Sequence, residues 1–194
     1  MNLTERQQQI IDASMELISE RGIQSLTIKN ISKKVGISEP AIYRHFDSKT
    51  EILLAILDLF IENNKQIFKS EVVEKADIKE IIDGLFYKFV DTFLSHPHLI
   101  SVVFSEEIFR NDTIFRKKTK SIIDGNYSIL ISLINKAQEK GQVVNDLDPK
   151  AMTTLILGSL RLCVKRWQMD NYEFDLKKET DKLKKTILNI LLKK

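Results

Sequence analysis

Proline, glycine and cysteine are all scarce. Three prolines and six glycines in 194 residues leave few positions for hairpin turns and strand connections, so an all-helical chain is expected. The single cysteine, Cys163, has no internal disulfide partner, and the opening segment MNLTERQQQI lacks the apolar core of a secretory signal. The cytoplasm is the expected compartment. No apolar stretch reaches the ~18 uncharged residues of a spanning helix, so no membrane association is expected. Enzyme signatures are missing too: no Walker glycine loop, no dinucleotide fingerprint, no H-E-x-x-H and no neighbouring nucleophile and base. The chain is therefore not expected to be an enzyme, and no cofactor is expected. His96 and His98 flank Pro97, with Glu106 and Glu107 beyond, but this spacing fits no metal motif and no metal site is expected.

What is present is an ordinary globular balance, 43% hydrophobic and 29% charged, which excludes disorder as the main state. The net charge is only +3, yet residues 21–50 hold six cations (Arg21, Lys29, Lys33, Lys34, Arg44, Lys49) against Glu39 and Asp47. The basic charge is local, and a local basic patch favours a polyanionic partner.

The apolar periodicity begins with a helix over 4–21, whose Ile10, Ser14, Leu17 and Ile18 share one face beside Ile11 and Met15. Gly22 closes it. Thr27 can cap a second helix with Ile28, Ile31 and Val35 at i, i+3, i+7, which Gly36 ends. Ser38 can cap a third, with Pro40 in its first turn and Ala41, Ile42 and Phe46 as apolar positions. Ser48 and Glu51 form an S-x-x-E capping box before a fourth helix. Longer helices are then predicted over 49–72, 76–95, 98–109, 112–140, 149–169 and 176–192, cut by His96-Pro97, Gly141 and Asp148-Pro149. The expectation is an all-α chain of about nine helices, a three-helix helix-turn-helix domain at 1–48 and a larger helical bundle at 49–194.

Residues 27–46, TIKNISKKVGISEPAIYRHF, have the form of two short helices joined by a glycine turn, the pattern of a DNA-binding helix-turn-helix. Ile31, Val35, Ile37 and Ile42 can lock the pair together. Ser38, Glu39, Pro40, Ala41, Tyr43, Arg44 and His45 are left to project outward. Thr27 and Lys49 sit at helix amino ends, where amide hydrogens assist phosphate binding.

The run Ile42, Tyr43, Arg44, His45, Phe46 and Lys49 resembles the recognition segment of the TetR family of bacterial transcription regulators, and the resemblance covers about the first 55 residues. It implies double-stranded DNA as partner, with Thr27, Tyr43, His45 and Lys49 gripping phosphates. It also implies that Lys29, Ser38, Glu39, Pro40, Ala41 and Arg44 lie near base edges or the flanking backbone. Arg44 can donate a bidentate pair to guanine. Glu39 can accept from cytosine N4, or simply be an acidic first-turn residue favourable to its own helix.

The resemblance further implies that the long helices form a homodimer and a small-molecule effector pocket. For the dimer, apolar or small residues over 151–167 cover almost the whole helix circumference, so that helix needs burial on two sides. Leu183, Ile187, Ile190 and Leu191 add an apolar face on the last helix, suiting a four-helix contact across a twofold axis. For the pocket, Phe86, Phe89, Phe93, Phe104, Ile108, Ile123, Tyr127 and Trp167 form an aromatic-rich set that reads either as a pocket lining or as plain core. Cys163 reads as a small apolar filler. The function expected is a nucleoid-associated repressor released from a palindromic operator by a small, largely apolar ligand. The alternative is a DNA-bound marker of the nucleoid-occlusion type that regulates cell division without an effector.

Overall fold

The computed structural model describes residues 3–64, 77–105, 108, 110 and 112–192. Nine α-helices occur among them: α1 (Glu5–Arg21), α2 (Ile28–Val35), α3 (Glu39–Tyr43), α4 (Lys49–Asn64), α5 (Ile78–Ser95), α6 (Leu99–Val103), α7 (Thr113–Glu139), α8 (Pro149–Met169) and α9 (Leu176–Leu191), with a 3-10 turn at Ile23–Ser25. There are no strands among the described residues, only an isolated antiparallel bridge between Val143 and Leu192.

Most helix ends carry the chemistry their sequence advertises. Thr4 begins α1 with a reciprocal capping box, its side chain accepting from the Gln7 amide while the Gln7 side chain accepts from the Thr4 amide. Asp77 and Glu80 do the same for α5, the Glu80 amide donating to Asp77 at 2.8 Å and the Asp77 amide to Glu80 at 3.2 Å. Asp148 caps α8 and Asp175 caps α9. The predicted extension of the fourth helix to residue 72 lies outside the described residues. The predicted helix over 98–109 is interrupted, since α6 stops at Val103. There the Ser105 amide turns back to the Val102 carbonyl, while the Ser105 hydroxyl accepts from the Ile108 amide at 3.3 Å.

The chain packs as two compact units, Met1–Glu62 with His96–Ser121, and Asn63–Ser95 with Ile122–Lys194. The first extends past residue 48 because Ile52, Leu53, Ile56 and Leu57 of α4 are buried. Its core also takes Ile10, Ile11, Leu17 and Ile18 from α1, Ile31, Ile42 and Phe46 from the helix-turn-helix, and Ile100, Val102 and Phe115. Each such side chain contributes ~1.5–3 kcal/mol on burial. The second unit closes around Ile82, Leu85 and Phe86 of α5, Leu130 and Ile134 of α7, Met152, Ile156 and Leu160 of α8, and Ile187 and Leu191 of α9.

Within the first unit, α4 and α7 are tied by polar contacts as well. The Thr50 hydroxyl donates to Asp112 at 2.5 Å, and Lys118 pairs with Asp58 at 2.6 Å. Asp112 also caps α7, accepting from the Phe115 amide at 2.9 Å. Burial pushes the Asp112 carboxyl up, but the Phe115 and Ile114 amides, the Thr50 hydroxyl and the charge of Lys49 together hold its pKa below the ordinary aspartate value. A lowered pKa means that the stabilisation is complete above the unfolded value of ~3.9 and is lost as pH falls through the folded one. Asp112→Ala is therefore expected to lower stability by ~1–2 kcal/mol at neutral pH, the scale of a lost cap and hydrogen bond. Urea denaturation should show the difference between variant and wild type narrowing in acid.

Candidate nucleic-acid interface

The interface begins with two caps. Thr27, in extended conformation, accepts from the Asn30 amide at 3.1 Å, opening α2, and Ser38 accepts from the Ala41 amide at 3.3 Å, opening α3. Between them Gly36 adopts φ 76° and ψ 33°, the left-handed conformation that only glycine takes without strain. The amides of Gly36 and Ile37 both return to the Ser32 carbonyl, at 2.9 and 3.0 Å. Behind this turn Ile31 and Ile42 are fully buried while Val35 and Ile37 are half-buried, which fixes the two helices against each other.

That packing decides what faces outward. Thr27, Lys29, Ser38, Glu39, Pro40, Arg44 and Lys49 are exposed, Tyr43 is 51% exposed, and Ala41 and His45 are half-buried. The α3 helix is five residues long, and Arg44 continues it in a helical conformation at φ −71° and ψ −17°. Beyond it the Glu51 amide donates to Ser48 at 3.1 Å and the Asp47 amide donates to the Glu51 carboxylate, fixing the start of α4 and with it Lys49. The ten residues singled out from the sequence thus fall on one stretch of chain, between the start of α2 and the first turn of α4.

A cation of the basic window outside that edge is paired within the protein. Lys34 reaches α1 and pairs with Glu16 at 2.8 Å and Glu20 at 3.1 Å, and these bonds raise its pKa above the ordinary lysine value. Its charge is largely neutralised within the protein. Sequence counting included Lys34 in the patch because nothing local shows a pairing made across two helices.

The aromatic set divides between the two units. Phe104 and Ile108 belong to the first, half-buried and buried respectively. In the second, Phe86 and Phe93 are buried, and the half-buried Phe89 ring meets Phe93 edge-on at 5.0 Å. Trp167 is buried against Tyr172, ring centroids 4.7 Å apart. Ile123 is 49% exposed, and the half-buried Tyr127 spends its hydroxyl on the start of α8, donating to the Lys150 carbonyl at 2.9 Å and meeting the Thr154 hydroxyl at 2.6 Å. A groove of about 130 Å³ runs beside Phe86, lined by Tyr87 and Val90 of α5 and by Lys177, Thr180, Asp181 and Lys184 of α9. Cys163 is half-buried, and burial raises its thiol pKa, leaving little thiolate at neutral pH. Among the described residues no helix is long and apolar enough to cross a membrane.

A capped, glycine-turned helix pair with an outward edge of Arg, Lys, Tyr and His, set on a helical body, defines a helix-turn-helix DNA-binding protein. Residues 10–56 match the family model for bacterial regulatory proteins of the tetR family, and residues 55–190 match that for the C-terminal region of YsiA-like proteins. The chain belongs to the TetR family of bacterial transcription regulators. It is 26% identical over 172 residues to the fatty acid metabolism regulator protein of Bacillus subtilis (strain 168), covering 87% of this chain and 86% of the relative. The nucleoid occlusion factor SlmA of Glaesserella parasuis serovar 5 (strain SH0165) is 34% identical over 90 residues, 42% of this chain and 45% of that one. Among solved structures, the transcriptional regulator FadR from Bacillus subtilis in complex with stearoyl-CoA aligns with a TM-score of 0.75 at 24% identity, covering 94% of this chain and 98% of the other. The nucleoid-occlusion alternative is not favoured, because the likeness to the fatty acid regulator runs through 87% of the chain and the second family model matches residues 55–190.

Proposed function

We propose that the protein is a homodimeric repressor, held on a palindromic operator by its two α3 helices and released by a long-chain acyl-CoA thioester. The observation that carries this reading is the reach of the likeness to the fatty acid metabolism regulator, which extends over residues behind the helix-turn-helix where an effector would act. The apolar ligand expected from the sequence becomes the acyl chain, and the CoA moiety adds an anionic head.

The second unit supports an apolar guest chemically, through Phe86, Phe89 and Phe93 along one face of α5. The groove beside Phe86, at about 130 Å³, is small against the ~300–1,000 Å³ of ordinary ligand pockets. A long acyl chain that enters at this groove parts packed helices, and that displacement is what could change DNA affinity. Selection of bound duplexes from a genomic pool should return a palindrome, and stearoyl-CoA should then weaken binding to it. Linkage requires the duplex to weaken stearoyl-CoA binding by the same factor, ~5–150-fold. Free CoA and stearate separate head from chain. A duplex affinity that saturating stearoyl-CoA leaves unchanged removes the effector.

A further inference from the structure

We propose that Gln7 is a positioning residue for DNA binding, holding the carboxyl end of the recognition helix so that His45 and Lys49 meet the phosphate backbone. This role rests on the DNA-binding reading of the α2–α3 segment.

A helix of five residues such as α3 is too short to hold its own conformation, because the first turn fixes several residues for one hydrogen bond. Its orientation must come from what it touches. Ile42 and Phe46 provide apolar anchors, being 0% and 3% exposed. They fix depth against the core, but apolar contact is not directional, and the hydrogen bonds that set Asp47, Ser48 and Glu51 at the start of α4 do not tie the carboxyl end of α3 to another helix.

The directional contact comes from α1. The half-buried Gln7 amide has both of its ends committed. Its Oε1 accepts from the Thr4 amide at 3.0 Å and the Thr4 hydroxyl at 3.2 Å, while its Nε2 donates to the carbonyl of His45 at 3.3 Å, across 38 residues of sequence. That carbonyl lies at the end of α3, where helices leave acceptors without a partner in the ladder. The His45 amide is in turn fixed to the Ile42 carbonyl at 2.9 Å. One side chain thus joins the first turn of α1 to the residue that begins the bend toward Lys49, and the rigid α1 cap orients the donor.

The capping and positioning roles separate by mutation. Thr4→Ala removes the cap side chain and leaves the Gln7 donor in place, whereas Gln7→Met keeps length and neutral charge but deletes the bond to His45 together with the acceptor for the Thr4 amide and hydroxyl, so both variants weaken the cap and only Gln7→Met loses the His45 bond. The test measures binding of the full-length dimer to a duplex carrying the selected palindrome and to a scrambled duplex, with Lys49→Ala as reference and melting temperatures alongside. Gln7→Met is expected to weaken palindrome binding by about two- to tenfold, the fold-change of one net hydrogen bond. It should melt no lower than Thr4→Ala and should have a shallower salt dependence than wild type, since misplaced phosphate contacts release fewer counterions. Thr4→Ala should retain wild-type affinity well below its melting temperature. Equal losses of affinity in Thr4→Ala and Gln7→Met overturn the proposal, as Gln7 would then act only through helix stability. Full affinity in Gln7→Met beside a weakened Lys49→Ala also overturns it, while the DNA-binding reading survives. Wild-type protein that retains neither duplex removes that reading and the positioning role together.

Discussion

Leu162→Glu is expected to turn the proposed dimer into a folded monomer that no longer holds its operator. The two sides of α8 have different surroundings. Met152, Ile156, Leu160, Val164 and Trp167 are buried within their own unit, whereas Leu155, Leu162 and Met169 are 44%, 61% and 72% exposed. The three exposed residues recur every seven positions and so form one stripe along the helix, with Gly158 and Ser159 leaving room for close approach. Ile190 of α9 adds a fourth apolar side chain at 44% exposure. A stripe of this kind suits a twofold contact, in which each residue is used twice and a substitution acts twice. Two carboxylates brought into such a seam lose solvation without gaining a partner. Because Leu162 is exposed in the protomer, the fold should change by less than ~0.5 kcal/mol. Operator affinity should fall ~10²–10⁴-fold, since each half-site would then be bound without the effective concentration supplied by the other. Sedimentation and duplex binding measure the two effects. A wild-type chain that sediments as a monomer at micromolar concentration, or a Leu162→Glu chain that remains a dimer, would overturn the assignment of this face.

The parts of the molecule legible in the sequence are those whose physics is local. Thr27, Ser38 and Asp148 cap the helices expected of them, and Gly36 takes the positive φ that ends α2. Hydrophobic spacing likewise picks out the buried residues of α1 and the Ile31–Ile42 lock, since residues on one face share one fate when only one face is covered. It fails where a helix has apolar residues on more than one face. Ile114, Ile123 and Ile129 of α7 stand 62%, 49% and 38% exposed, although nothing in their identity sets them apart from the fully buried Ile134. Period shows which residues share a face, and only packing shows which face is covered. Contacts between distant segments are least legible of all. The capping box that Thr4 and Gln7 close lies within one turn, but the other end of the same Gln7 amide reaches His45 across 38 residues of sequence. Lys34 counts as a cation of the recognition segment until Glu16 and Glu20 are seen beside it. The break after α6 depends on Ser105 accepting an amide bond that an uninterrupted helix would have made differently.

Arg44→Ala is expected to distinguish reading from gripping on the exposed edge of the helix-turn-helix. Arg44 ends α3 in a helical conformation and is exposed, so its guanidinium can extend toward a major groove without disturbing the protein interior. Bidentate donation to guanine O6 and N7 is worth ~1–3 kcal/mol per site, and a dimer on a palindrome applies it twice. The loss should therefore be large and concentrated at one base pair of each half-site. Lys49→Ala should behave differently. It removes a charge fixed at the start of α4, so it should weaken binding to palindromic and scrambled duplexes alike and reduce the log–log salt slope by ~0.9 for each phosphate that is no longer neutralised. Tyr43→Phe should weaken both with little change of slope, because a neutral hydroxyl releases no counterion. Lys34→Ala supplies the control: its charge is balanced by Glu16 and Glu20, so the slope should stay that of the wild type. If Arg44→Ala weakens all sequences equally and flattens the salt dependence, Arg44 grips phosphate and specificity must come from Lys29, Ser38, Glu39 or from the deformability of the duplex. If none of Arg44→Ala, Lys49→Ala and Tyr43→Phe changes affinity, this edge does not bind DNA, because one face cannot lose its cation, its anchor and its hydroxyl and still be the surface that holds a polyanion.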